Sequence, residues 1–209
     1  MAPLITDLDA ARLRENADRI REQIGGAELL AAVKYVPLEE LETLAEAGIT
    51  LLGENRAQDL EAKAKAHPGV FRWHFIGQLQ SRKVKVILPY VELIHSVASD
   101  SALTQLGKHG TPDTQILVEV NVAGEDEKAG IAPEALADFI ARAPVTVTGL
   151  MTMPPFTEDP EDSRPYFARL AGLAREHGLE QLSMGTSQDY RVAAEEGATI
   201  VRVGSTLYA

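Results

Sequence analysis

The feature of this chain that most constrains its fold is a rhythm. Short apolar runs of strand length alternate with helical segments along the whole of its 209 residues. After an amphipathic first helix, in which Leu13, Ala17, Ile20 and Ile24 share one face and Gly25-Gly26 ends the pattern, the runs fall at 28–36, 49–55, 71–79, 91–98, 114–122, 145–153, 179–187 and 199–208. Thr6 and Asp9 are placed to cap that first helix. Pro37 opens a helical stretch with Leu38, Leu41, Leu44 and Ala45 on one face, and Pro133 opens another. Near-continuous apolar strands are those covered on both faces, and helices between them imply parallel pairing through βαβ crossovers. An open doubly wound sheet is the competing arrangement. The count of eight favours a single (β/α)8 TIM-type barrel over residues 1–209, with the extra N-terminal helix covering the position after the eighth strand.

The formal net charge of −11 argues against nucleic acid or an anionic membrane as the main partner. With no cysteine there are no disulfides, thiolate metal sites or CxxC redox chemistry. The N-terminus is too charged for a secretory signal, and no apolar run nears the roughly 18 residues of a spanning helix. A cytoplasmic protein is expected.

Active sites of such barrels lie at the C-terminal ends of the strands. The polar residues there form a ring: Lys34; Glu54 and Asn55; His74, Gly77 and Gln78; His95 and Ser96; Glu119 and Asn121; Ser183, Gly185, Thr186 and Ser187; Arg202, Gly204 and Ser205. Met151 and Met153 alternate on one face of the sixth run. Lys34 interrupts an apolar stretch. It is either a solvated lysine just past a strand end or an amine whose desolvation frees a nucleophile for Schiff-base chemistry. Ser183–Ser187 and Gly204–Thr206 are glycine-hydroxyl stretches in the last two βα positions, where barrel phosphate sites commonly sit; ordinary turns are the plainer reading. Arg202, between two valines, needs an acceptor, from a structural carboxylate or from a ligand. His74 reads as a core histidine or a pocket wall. The five histidines show no metal-ligand spacing.

Taken together, LLAAVKYVP around Lys34, GEN at 53–55, WHFIGQLQ at 73–80 with Lys83 behind it, NVAGEDEKAG at 121–130, GLMTM at 149–153, SMGTSQD at 183–189 and VRVGS at 201–205 resemble one family. It is the pyridoxal phosphate homeostasis proteins, similar to the N-terminal barrel of alanine racemase. The resemblance implies pyridoxal 5′-phosphate (PLP) as cofactor, held as a Schiff base on Lys34. It implies Ser183, Gly185, Ser187, Gly204 and Ser205 around the phosphate and Arg202 at the pyridine nitrogen. Asn55, His74 and Met151 are implied as pocket lining. The chain departs from the family at Val33 and Tyr35, which replace Ser and Thr beside the lysine, at Gln78 and Arg82, and in ending just past Tyr208.

The expected function is buffering or delivery of PLP without robust catalysis, by a monomer whose partners are PLP and apo forms of PLP-dependent enzymes. An arginine at the ring nitrogen cannot hand over a proton, which leaves the pyridine a poor electron sink. Racemases of this barrel type use two bases, the lysine and a tyrosine that in alanine racemase comes from a C-terminal domain, and that domain is expected to be absent here. The alternatives are a PLP-dependent amino-acid racemase and a barrel enzyme whose Lys34 takes a sugar phosphate.

Overall fold

A computed structural model describes residues 3–125 and 129–209. Asp126, Glu127 and Lys128 of the NVAGEDEKAG motif lie outside the described residues. Eight parallel strands close into a barrel in sequence order: β1 (Glu28–Ala32), β2 (Leu51–Glu54), β3 (Arg72–Phe75), β4 (Leu93–Val97), β5 (Gln115–Glu119), β6 (Thr146–Met151), β7 (Gln181–Ser183) and β8 (Ile200–Val203). The ring closes through β1 and β8, with Leu30 opposite Arg202. The helices are α1 (Ala10–Ile24), α2 (Leu41–Glu46), α3 (Ala57–Ala66), α4 (Val84–Ile87), α5 (Asp100–His109), α6 (Leu136–Ala141), α7 (Arg164–Glu176), α8 (Tyr190–Glu195) and α9 (Ser205–Tyr208). Among the described residues, no helix is long and apolar enough to cross a membrane.

Strand alternation sorts the apolar residues into two sets. Ala31, Leu52, Ile94, Ile116, Val118, Leu150, Val201 and Val203 face outward and join the helix residues in one continuous layer. Leu30, Leu51, Leu93, Leu117, Met151 and Ile200 face inward, with Ile76, as a smaller cluster inside the barrel. The N-terminal rim below that cluster is polar: Arg72 donates to Glu28 (2.7 Å) and Glu92 (2.9 Å).

Helix α1 packs against β1, α2 and α8, where an eighth barrel helix would otherwise stand. The Asn16 amide donates to the carbonyls of Leu207 and Ala209, both at 3.0 Å, and so holds the last turn of the chain. Asp9 caps α1 by accepting from the Arg12 amide at 2.7 Å; Thr6 takes no part. The expected strand over 199–208 stops at Val203, and Ser205–Tyr208 coil into α9. Leu38, expected on the buried face with Leu41 and Leu44, lies in a 3-10 turn ahead of α2 and is exposed.

Glu54 was expected in the ring at the barrel mouth, but the two-residue period turns it outward, because Gly53 faces in. A side chain on Gly53 would run into Leu30 and Ile76. Glu54 is buried against α3, where Lys63 donates to its carboxylate at 2.6 Å and to the Val33 carbonyl at 2.7 Å. The Asn55 and Arg56 amides donate to the same carboxylate, at 2.6 and 3.2 Å. Removing one partner of a buried pair strands the other charge, at a cost of about 3–5 kcal/mol. Lys63→Met is therefore expected to lower the stability measured by urea unfolding by that amount, and Glu54→Gln in the same chain to restore part of it. Equal stability of wild type and Lys63→Met would contradict this role for the pair.

Candidate functional site

On five of the eight strands an inward position toward the C-terminal end is polar. His74, His95, Glu119, Ser183 and Arg202 follow Arg72, Leu93, Leu117, Gln181 and Ile200 by two residues each, and all five are buried. Four of them, Arg202, Ser183, His95 and His74, connect across the barrel. The Arg202 guanidinium donates to the Ser183 hydroxyl, to the Thr152 carbonyl (3.0 Å) and to Met153 Sδ (2.8 Å). Ser183 Oγ lies 2.8 Å from His95 Nδ1, and His95 Nε2 lies 2.9 Å from His74 Nδ1. The column spans the barrel interior from the mouth toward the Arg72 rim.

Burial sets the charge states. Desolvation lowers Arg202 to about 10, against the pull of Glu119 and Asp189, so it stays protonated at neutral pH. Burial raises the Glu119 carboxyl, with Arg202 opposing. Burial lowers His74 to about 4, helped by the Arg72 charge, and holds His95 well below the ordinary imidazole range, helped by His74 and Arg202. His74 Nε2 stands 4.0 Å from Glu92, but a neutral imidazole makes no ion pair there.

Lys34 lies two residues past the end of β1 and is exposed. The apolar strand ends before it, so the structure carries the solvated alternative and not a desolvated amine. Its ammonium rests 4.8 Å over the Tyr35 ring. The backbone around it is held from four sides. The Val33 amide donates to the Gly53 carbonyl (3.0 Å), Lys63 donates to the Val33 carbonyl, the Tyr208 hydroxyl donates to the Ala32 carbonyl (3.3 Å), and the Ile5 amide donates to the Tyr35 carbonyl (2.8 Å). Lys34 thus has a fixed base and a free side chain. On β2, Asn55 follows inward-facing Gly53 by two, and its amide oxygen is buried without a hydrogen-bond partner.

The two glycine-hydroxyl loops form one floor beside β1. Ser187 Oγ accepts from the Gly204 amide (3.0 Å) and the Thr206 amide (3.4 Å), and the Thr206 hydroxyl donates to the Ser187 carbonyl (3.0 Å). Gly185 has φ +88, and a Cβ there would lie 2.5 Å from Ala193; only glycine fits. Its carbonyl accepts from the Arg202 amide (3.0 Å). Gly204 faces Ala32, two residues before Lys34. Ser205 is exposed. The structure thus brings Ser187, Gly204 and Ser205 together with Gly185 behind them. It places Ser183 elsewhere: fully buried and bonded to Arg202 and His95, inside the barrel and not in the loop. His74 and Met151 sit deeper still, Met151 in the inner apolar cluster and His74 at the lower end of the column. The link between His74 and His95, the Thr152 and Met153 contacts to Arg202, and the Lys63 brace were not found from sequence. The two-residue register from Arg202, Ser183 and His95 is the signal that points to the column.

A closed barrel with an exposed lysine just past its first strand and a buried arginine on its last is a barrel of the alanine racemase N-terminal type. The family described as alanine racemase, N-terminal domain, matches residues 8–209. The chain belongs to that family and, within it, to the pyridoxal phosphate homeostasis proteins. It is 41% identical over 211 residues to the pyridoxal phosphate homeostasis protein of Aquifex aeolicus, covering 94% of this chain and 92% of that protein. The solved structure of PipY from Synechococcus elongatus with PLP bound superposes with a TM-score of 0.81 at 28% identity, over 94% of this chain and 100% of that one. Alanine racemase from Corynebacterium glutamicum, at 16% identity and TM-score 0.76, shares the fold over all of this chain and 63% of its own.

The depressed histidines carry a stability consequence. Between pH 6.5 and 4 the unfolded chain binds protons that folded His74 refuses, so stability is full above pH 6.5 and falls as the pH drops. Taking His74 from about 4 to its ordinary 6.5, urea unfolding at pH 5 should show about 2 kcal/mol less stability than at pH 7.5 from this group alone, with His95 adding in the same direction. An unchanged or greater stability at pH 5 would contradict neutral buried histidines.

Proposed function

We propose that this chain is a PLP carrier that buffers or delivers the cofactor, holding it covalently on Lys34 at the barrel mouth. The Lys34 amine condenses with the cofactor's aldehyde carbon, forming a C=N bond (a Schiff base) and releasing water. The observation that carries this reading is the placement of Lys34. It is an exposed primary amine on a backbone fixed by four hydrogen bonds. Two residues before it, Ala32 lies 3.8 Å from where a side chain on Gly204 would begin.

The donor set suits the rest of the group. Ser187 and Ser205 offer hydroxyls for the phosphate, the Gly204 amide now bonded to Ser187 Oγ would turn to it, and Gly185 allows α8 to approach the loop. Arg202 offers N–H groups to the pyridine nitrogen. The unpartnered Asn55 amide suits a polar ring substituent. Met151 and His74 are assigned to the floor beneath the ring, and Ser183 to support of Arg202. The naming of the Aquifex relative, and PLP in the Synechococcus structure, point the same way.

Arg202 also argues for storage over turnover. At about 10 it keeps its proton at neutral pH and can only donate a hydrogen bond. A ring nitrogen so held stays unprotonated and draws little electron density from a substrate carbon. In this reading the protein works as a cytoplasmic monomer, with apo forms of PLP-dependent enzymes as the recipients.

Purified protein mixed with PLP should turn yellow. Lys34→Ala should lose that band and bind PLP at least tenfold more weakly, while unfolding at the wild-type midpoint. A wild type that takes up no PLP overturns the reading. Racemisation of any amino acid on the order of 1 s⁻¹, an ordinary enzyme rate, overturns the carrier role and favours a racemase.

A further inference from the structure

The His74–His95 pair takes no part in holding Lys34 or the loops, yet two histidines inside a barrel normally filled by aliphatic side chains demand a reason. Hydrogen-bond accounting along the column supplies one. A guanidinium can only donate. Ser183 Oγ accepts from Arg202, so its own hydrogen is directed to the acceptor within reach, His95 Nδ1 at 2.8 Å. His95 Nδ1 therefore carries no proton, and the neutral ring bears it on Nε2. From there it donates to His74 Nδ1 at 2.9 Å. His74 in turn carries its proton on Nε2, toward the Glu92 and Arg72 rim. Each link has one donor and one acceptor, and the arginine sets the direction of all of them. The reverse order would aim two donors at Ser183 and leave a fully buried hydroxyl hydrogen with no acceptor.

We propose that His95 and His74 are positioning residues: acting through Ser183, they hold the Arg202 guanidinium in one orientation, with its unengaged N–H groups kept for a ring nitrogen at the barrel mouth. Arg202 spends three of its N–H groups on Ser183, Thr152 and Met153. Of these three, the Ser183 hydroxyl is bonded in turn to a further side chain, His95. The column is a property of the cofactor-free protein; its service to the cofactor rests on the PLP reading above.

The two layers are tested separately. In cofactor-free wild type, 15N NMR of the imidazoles should find both His74 and His95 as the Nε2–H tautomer, and Ser183→Ala should release His95 into a mixture. Either ring found as Nδ1–H, or tautomers unmoved by Ser183→Ala, overturns the proposal. With PLP, Ser183→Ala and His95→Leu should each weaken affinity roughly tenfold, the weight of one hydrogen bond to a charged group. The double variant should weaken it no further. His95→Asn keeps an acceptor for Ser183 and should retain most of the affinity. Leu fills the histidine's volume better than Asn, so a merely structural role predicts the opposite order, and that order overturns the proposal. If the wild type binds no PLP, the carrier reading fails, while the tautomers still decide whether the column exists.

Discussion

A guanidinium buried inside a closed barrel must find acceptors, and much of this structure's interior is organised around that demand. Arg202 keeps its charge in a place where burial has already lowered its pKa to about 10. Ser183, the Thr152 carbonyl and Met153 answer it directly, and His95 and His74 extend the answer across the barrel. The apolar filling of the barrel is confined to six residues and Ile76 as a consequence. Such a polar interior gives up hydrophobic stabilisation that an aliphatic layer would provide. What it gains is a fixed cation at the floor of the mouth.

Lys34 follows a complementary logic. Its side chain is exposed, with the amine resting over the Tyr35 ring. Its backbone is held by β2, by the N-terminal segment, by the Tyr208 hydroxyl and by Lys63 of α3, itself paired with Glu54. A site that captures and releases a cofactor suits this division. In the proposed carrier role the held backbone would leave little to order at capture, and the exposed amine would stay accessible for release.

Much of this was legible in the sequence, for physical reasons that can be named. Eight apolar runs separated by helical segments leave few ways to bury both faces of every strand, so the barrel follows. The inner and outer faces also follow once a two-residue period is applied. Glu54 shows the limit of reading strand ends as a list: one step of parity moves it from the mouth to a buried pair with Lys63, nine residues on. Ser183 was assigned to a phosphate loop because it begins the SMGTS stretch, yet it is the last residue of β7 and faces inward. Where a strand stops is decided by pairing with its neighbours, which short apolar runs do not reveal. The same holds for Lys34, where the run continues to Val36 but pairing ends at Ala32. The link between His74 and His95 joins strands whose residues carry no mutual spacing, so only the closed barrel brings them together.

The central claim is that Lys34 is the residue that holds PLP. The most direct measurement is borohydride reduction of the PLP-loaded protein, followed by peptide mass analysis. The account predicts one pyridoxyl-phosphate adduct, on the peptide carrying Lys34. An adduct spread over surface lysines, or found on another lysine with Lys34 unmodified, would contradict it.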